Sequence, residues 1–146
     1  MKIVSWNVNG IRAIVKKDFI PVVWDLDPDI LCLQETKASE AIVKEVLAEL
    51  EGYESHAREA EKKGYSGTAL LTKKPPASLS HPEEGELRLE GRIQCADYGD
   101  FYLVNAYVPN SGQGLKRLDY REQWDAAFLD YLRGLQTEKP LILCGD

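Results

Sequence analysis

Histidine and cysteine are scarce in this 146-residue sequence, with two of the first and three of the second. His56 and His81 stand apart in or beside loop-like stretches and read as surface side chains, so no His/Cys cluster with zinc-ligand spacing exists. Cys32, Cys95 and Cys144 each sit inside an apolar run. An odd number of thiols so placed excludes a disulfide framework and fits a reducing compartment. Basic charge is short as well: 18 Lys and Arg against 24 Asp and Glu leave a net charge of −6. A general nucleic-acid coat protein carries a basic footprint instead. That balance leaves a nucleic-acid enzyme open, because a carboxylate metal site itself adds negative charge. No apolar run is long enough to span a bilayer, and MKIVSWN has no export h-region. Repeats, low-complexity tracts and internal linkers are missing too. What is there is 44% hydrophobic and 29% charged residues, which reads as one globular domain, 1–146, expected in the cytoplasm with no membrane partner.

The apolar residues alternate between strand-like and helix-like spacing. Ile3 and Val4 lead through Ser5 and Trp6 to two carboxamides, Asn7 and Asn9, and the run closes at Gly10. A strand that stops on polar groups before a glycine places them at its carboxyl end, the edge of an α/β sheet where ligands collect. From Ile11 to Leu26 the spacing is helical but contains Pro21, which predicts two short helices with a break. Ile30–Leu33 is apolar throughout, as in a central strand, and runs into Gln34-Glu35-Thr36-Lys37. Ser39 caps a helix with the face Ile42, Val43, Val46, Leu47 and Leu50, stopped at Gly52. Tyr53–Ala57 and Gly67–Thr72 read as strands and Lys73–Glu86 as loop. Arg92–Ala96 and Phe101–Val108 read as a hairpin about Gly99-Asp100. Leu115–Leu135 is the longest helix, striped by Trp124, Ala127, Phe128, Tyr131, Leu132 and Leu135, and Leu141–Cys144 is one more buried strand. The fold class is α/β, a mixed sheet with helices.

Three of these strands finish on a side chain with metal or phosphate chemistry: Asn7, Glu35 and Asp146. Two carboxylates and a carboxamide oxygen are hard ligands suited to Mg²⁺. A second group lies in NAYVPNSGQG, where Asn105 and Tyr107 share a strand face and Asn110-Ser111-Gly112 follow Pro109. A phenol, a carboxamide and open backbone N–H groups hold a phosphate, or else form a turn with a packed tyrosine. Gly64-Tyr65-Ser66-Gly67 and Glu90-Gly91-Arg92 each feed a strand, and either alone is compatible with a plain turn.

Taken in order from Lys2 to Asp146, WNVNGIR, LQETK, GYSGTALLTK, EGR, NAYVPNSG, LDYREQWD and PLILCGD resemble the successive motifs of the exonuclease III-type AP endonucleases. These belong to the wider endonuclease/exonuclease/phosphatase superfamily. The resemblance implies a metal site at Asn7 and Glu35, with Glu35 the direct ligand of Mg²⁺ (Mn²⁺ as an alternative). It makes Tyr107 the active-site tyrosine near the scissile phosphate, Asn110 a phosphate contact and Asp146 the residue that orients or deprotonates the attacking water beside the metal. Tyr65 and Arg92 fall in DNA-contacting loops. Asn9 stands where some relatives carry aspartate, and Gln113 where some carry arginine.

The implied activity is Mg²⁺-dependent hydrolysis of DNA phosphodiesters in base excision repair, cutting at abasic sites and trimming 3′ ends of double-stranded DNA, by a protein monomeric when complete. The implied fold is the first half of a four-layer α/β sandwich, expected here as one mixed β-sheet with helices on one face and its second sheet missing. In the family a second asparagine and a distant Asp–His pair follow the Gly-Asp. The chain by itself is therefore expected to be inactive and, with a sheet face uncovered, prone to self-association. The rival readings are a superfamily phosphatase acting on non-DNA phosphoesters such as lipid or inositol phosphates, and a non-catalytic fragment that binds DNA.

Overall fold

The computed structural model describes all residues, 1–146. Its strands are β1 (Ile3–Asn7), β2 (Ile30–Gln34), β3 (Glu54–Arg58), β4 (Thr68–Thr72), β5 (Ser78–Ser80), β6 (Ile93–Asp97), β7 (Tyr102–Ala106) and β8 (Leu141–Gly145). Its helices are α1 (Ile11–Ile14), α2 (Phe19–Leu26), α3 (Glu40–Val46) and α4 (Leu118–Gln136). The strands form two four-stranded sheets, β1-β2-β4-β3 and β5-β6-β7-β8. Each sheet is mixed, with β1 parallel to β2, β7 parallel to β8, and the other pairs antiparallel.

The second sheet is therefore present, and the expectation of a single sheet with helices on one face is corrected. The reason lies in β2. Its Leu31 and Leu33 pack with Val23, Val43 and Leu47 under α1–α3, while Ile30 and Cys32 face the other way onto Leu70, Ala96 and Leu103. A strand apolar on both faces needs a cover on both, and β6 and β7 supply the inner one. On the far side of the second sheet, Ile93, Cys95, Val104 and Ala106 pack on Trp124 and Phe128 of α4. The layer order helix, sheet, sheet, helix is complete within these residues.

Local expectations hold with three shifts. The break between α1 and α2 falls before Phe19, and Pro21 sits in the first turn of α2, where its missing N–H has no partner to lose. Ser39 caps α3 as expected, its Oγ accepting from the Ile42 N–H at 3.4 Å. β5 lies inside the stretch expected to be loop, because three exposed residues pairing at a sheet edge carry no apolar pattern. β8 is a correction as well: Leu143 is 48% exposed, because β7 is the strand's only hydrogen-bonded neighbour. No helix is long and apolar enough to cross a membrane.

The strand directions bring one edge together. β1, β2, β7 and β8 all end there, leaving Asn7, Glu35, Tyr107 and Asp146 at their tips, while antiparallel β4 and β6 begin there beside Tyr65 and Arg92. Beneath it the inter-sheet layer turns polar. Gln34 and Asn105 are 1% and 0% exposed, and Gln34 Nε2 donates to Asn105 Oδ1 at 2.8 Å across the two sheets. Asn105 Nδ2 donates back to the carbonyls of Leu33 (3.2 Å) and Ala69 (3.0 Å).

Candidate active site

Three of the expected strand-end residues meet. Asn7 Nδ2 donates to Glu35 Oε1 at 2.9 Å and to Asp146 Oδ2 at 2.6 Å. One amide nitrogen thus holds two carboxylates close enough to share a single small cation, and its N–H groups bring partial positive charge to the place such a cation would take. No three His, Cys, Asp or Glu side chains gather as a metal cluster. The two carboxylates are nonetheless hard-oxygen donors of the kind Mg²⁺ takes with water completing its shell, while Asn7 turns its amide nitrogen toward them and gives its oxygen to the Asn9 N–H.

Asn7 Oδ1 accepts from the Asn9 N–H at 3.0 Å, and Asn9 Oδ1 in turn accepts from Lys37 Nζ. Lys37 also pairs with Glu35 Oε2 at 2.8 Å, so Asn9 is tied to the carboxylate through this lysine. Burial works against charge on Glu35. Hydrogen bonds from Asn7, Lys37 and the Tyr107 phenol outweigh it and hold the carboxyl at about 2. Tyr107 moves the other way, pushed up to about 12 by burial and by the Glu35 carboxylate, so it stays a proton donor at neutral pH. The backbone is strained at this edge: Asn9, Glu35, Lys37 and Ser66 have φ of 45°, 54°, 50° and 49°. Such left-handed residues cost on the order of 1 kcal/mol or more each and gather at functional sites.

The remaining expected residues divide. Asn110 is exposed at the rim, its Oδ1 fixing the turn by accepting from the Gly112 N–H at 3.0 Å while its amide nitrogen stays open, and Gln113 is exposed beside it. Tyr65 is half-buried, and its hydroxyl is taken by Arg92 (3.1 Å) and Arg117 (2.8 Å). Arg92 is 2% exposed and spends its guanidinium on Glu90, Tyr65 and the Tyr107 carbonyl, so it stands behind the tyrosine rather than on the surface. Asn105 does not face a phosphate either, because it is consumed by the inter-sheet bonds.

Residues the sequence reading passed over surround this set. Arg117 and Glu90 fix Tyr65 and Arg92, and Arg121 donates to the Pro109 carbonyl at 2.9 Å, pinning the Asn110 turn to α4. Glu90 and Arg121 lie in the EGR and LDYREQWD runs and Arg117 just before the second, but apart from Glu90 and Arg92, two residues apart, the partners lie 12 to 52 residues apart in sequence. Two adjoining clefts of about 320 and 390 Å³ flank the edge, lined by Arg12, Lys16, Lys37, Lys62 and Lys63 with one acid, Glu59. This is a basic rim on an acidic chain.

Two mixed sheets face to face, with acidic strand ends meeting a carboxamide and a phenol at one edge, define a distinct class of α/β sandwich. The chain belongs to the Endonuclease/Exonuclease/phosphatase family, whose model it matches over residues 4–146. It is 49% identical over 152 residues to the "DNA repair nuclease APEX1" of Danio rerio, covering 100% of this chain and 48% of that protein. It is 43% identical over 150 residues to the "Exodeoxyribonuclease" of Bacillus subtilis, covering 58% of it. Among solved structures, an AP endonuclease from Archaeoglobus fulgidus superposes with a TM-score of 0.81 at 28% identity, and the Xenopus laevis APE2 catalytic domain with 0.85 at 27%. All of this chain and 56% and 58% of those chains are covered. The chain spans about half the length of the curated relatives it matches.

Proposed function

We propose that the full-length protein is a DNA-repair phosphodiesterase that cuts double-stranded DNA at abasic sites and trims 3′ ends with Mg²⁺. The observation that carries this reading is the meeting of Glu35, Asp146, Asn7 and Tyr107 at one strand edge, beside clefts lined by cations. The lysines and Arg12 supply the charge to track a phosphate backbone past an otherwise acidic surface. Glu35 and Asp146 would hold the Mg²⁺ through their carboxylates, with Asn7 joining them through its oxygen only once its amide turns over, and the ion would polarise a phosphoryl oxygen and offset the charge of the transition state.

The other steps belong to side chains. Asp146 is exposed and accepts a hydrogen bond from Asn7, so it can orient a water in line with the phosphorus and take its proton. Tyr107, kept protonated by burial and by Glu35, donates to a phosphoryl oxygen as charge grows there. The open amide of Asn110 offers a further donor to the phosphate. Lys37 keeps Glu35 ionised and in place. An abasic nucleotide has no base to unpair, so extruding it costs less than extruding an intact one, which supplies part of the selectivity.

The test is nicking of a duplex with a single abasic site. Mg²⁺-dependent cleavage that EDTA stops is expected, and Glu35→Ala is expected to lower it about a thousandfold or more while the fold survives. Turnover of small phosphomonoesters with an uncut duplex would hand the protein to the phosphatase reading. Full activity in Glu35→Ala would remove that residue from the site.

A further inference from the structure

Behind Tyr107 lies a charge network that touches no carboxylate of the site and reaches the flanking cleft only through Tyr65. Glu90 bridges two guanidiniums: Oε2 accepts from Arg92 Nε at 2.7 Å and Oε1 from an Arg117 terminal nitrogen at 3.1 Å. The same two arginines converge on the Tyr65 hydroxyl, at 3.1 and 2.8 Å. Arg92 also holds Tyr107 at two points. It donates to the Tyr107 carbonyl at 3.0 Å, and its guanidinium carbon lies 4.5 Å from the centre of the tyrosine ring. The Tyr107 N–H in turn donates to the Arg92 carbonyl at 2.8 Å. The loop that carries Glu90 is held by Gly91, at φ 58°, where a Cβ would lie 2.6 Å from the Glu59 carbonyl carbon.

A guanidinium is planar, so fixing its Nε fixes the plane that stacks on Tyr107. Glu90 is also the only carboxylate paired with Arg92, which is 2% exposed. Without that charge, two cations sharing one hydroxyl repel, and Arg92 is left as an uncompensated buried charge. We propose that Glu90 is a positioning residue, which sets the Tyr107 phenol through Arg92 and links it to the Tyr65 loop and the Arg117 turn. It does not touch substrate, since both its oxygens are engaged and its charge would repel a phosphate. The proposal rests on the reading of Tyr107 as a donor to the scissile phosphate.

The test compares Glu90→Gln and Glu90→Asp, alone and with Tyr107→Phe, in the full-length protein on an abasic duplex, with 3-fluorotyrosine placed at position 107 as a second readout. Glu90→Gln is expected to lower kcat about tenfold or more with KM within about twofold, and Glu90→Asp, which keeps the charge, to restore much of that loss. In the Tyr107→Phe background Glu90→Gln is expected to cost almost nothing further, because its effect runs through the phenol. The ¹⁹F resonance of residue 107 is expected to shift in Glu90→Gln. Losses that simply add, a defect confined to KM, or an unmoved ¹⁹F resonance would each overturn the proposal. A wild-type protein inert on the duplex defeats the reading of function, yet the ¹⁹F resonance still decides the role of Glu90. Should Glu90→Gln fail to fold, the same resonance in Glu90→Asp decides it.

Discussion

At the end of the sandwich away from the site, three acids beside strand tips have cationic or backbone partners. Asp27 meets Lys73, Asp29 meets the Lys2 backbone N–H and the amino terminus, and Asp97 takes Lys139 on both oxygens at 2.7 and 2.6 Å. At the site end Asp146 pairs with no cation and shares the Asn7 amide with Glu35, while Lys37 alone answers two carboxylates. The layer between the sheets differs in the same sense. Toward the far end it is Ile30, Leu70, Ala96 and Leu103, and under the site it is Gln34 and Asn105. One end closes its charges and packs its core. The other keeps two carboxylates with one lysine between them inside a basic rim, strained backbone and a polar underlay, which is the state of a site that awaits a cation and an anionic substrate.

The sharpest way to break this comparison is to make the two ends of the inter-sheet layer alike. Asn105→Leu removes the amide that ties the sheets below Tyr107 and leaves buried groups unpaired, at a cost of about 3 kcal/mol. Leu103→Ala, at the apolar end, opens a cavity and costs about 2–5 kcal/mol. The two stability losses are expected to be similar by urea denaturation, but the effect on activity is not. Asn105→Leu is expected to reduce nicking about a hundredfold through a displaced Tyr107, and Leu103→Ala to leave it nearly unchanged. Equal loss of activity in both would dissolve the distinction.

A smaller effect sharpens the other half. Lys139, with help from the Gly99 N–H, holds the Asp97 carboxyl below its usual range. A group depressed on folding stabilises above its ordinary pKa and loses that contribution as pH falls through the lowered value. Asp97→Asn is therefore expected to lower Tm modestly near neutrality, and the gap to wild type to close as pH falls below about 4. The pair is half-buried at the surface and still reached by solvent, so salt narrows the gap in part. A gap that does not change with pH would show that the pair adds nothing to stability.

Much of this was legible in order along the chain. The run Ile30–Leu33 announced a strand covered on both faces, and the stripe from Trp124 to Leu135 announced the longest helix, which the structure lays over the second sheet, because periodicity records burial directly. The polar tips Asn7, Glu35 and Asp146 were legible as a set because the strand directions put them on one edge. What periodicity does not record is which strands share a sheet, and so the second sheet was read as missing although β5–β8 were mostly in view. The exposure of β8 was hidden for the same reason: Leu141–Cys144 is as apolar as β2, and only its place at the edge separates them. Arg92 shows the converse at the site. A cation before a strand reads as part of a plain turn, and by the family resemblance as lying in a DNA-contacting loop, until its three partners, from Tyr65 to Tyr107, fold around it.

The claim that the two site carboxylates are left short of cationic charge is tested most directly by the thermal midpoint in a Mg²⁺ titration. Glu35→Gln is run beside wild type. The expected result is a saturable rise in wild-type Tm, equivalent to about 2.7 kcal/mol at a hundredfold excess over Kd. Glu35→Gln is expected to lack that rise and, in the absence of Mg²⁺, to lose some stability at neutral pH, since Asn7, Lys37 and Tyr107 favour the ionised carboxylate. A wild-type midpoint indifferent to Mg²⁺, or a rise of the same size in Glu35→Gln, would contradict the account.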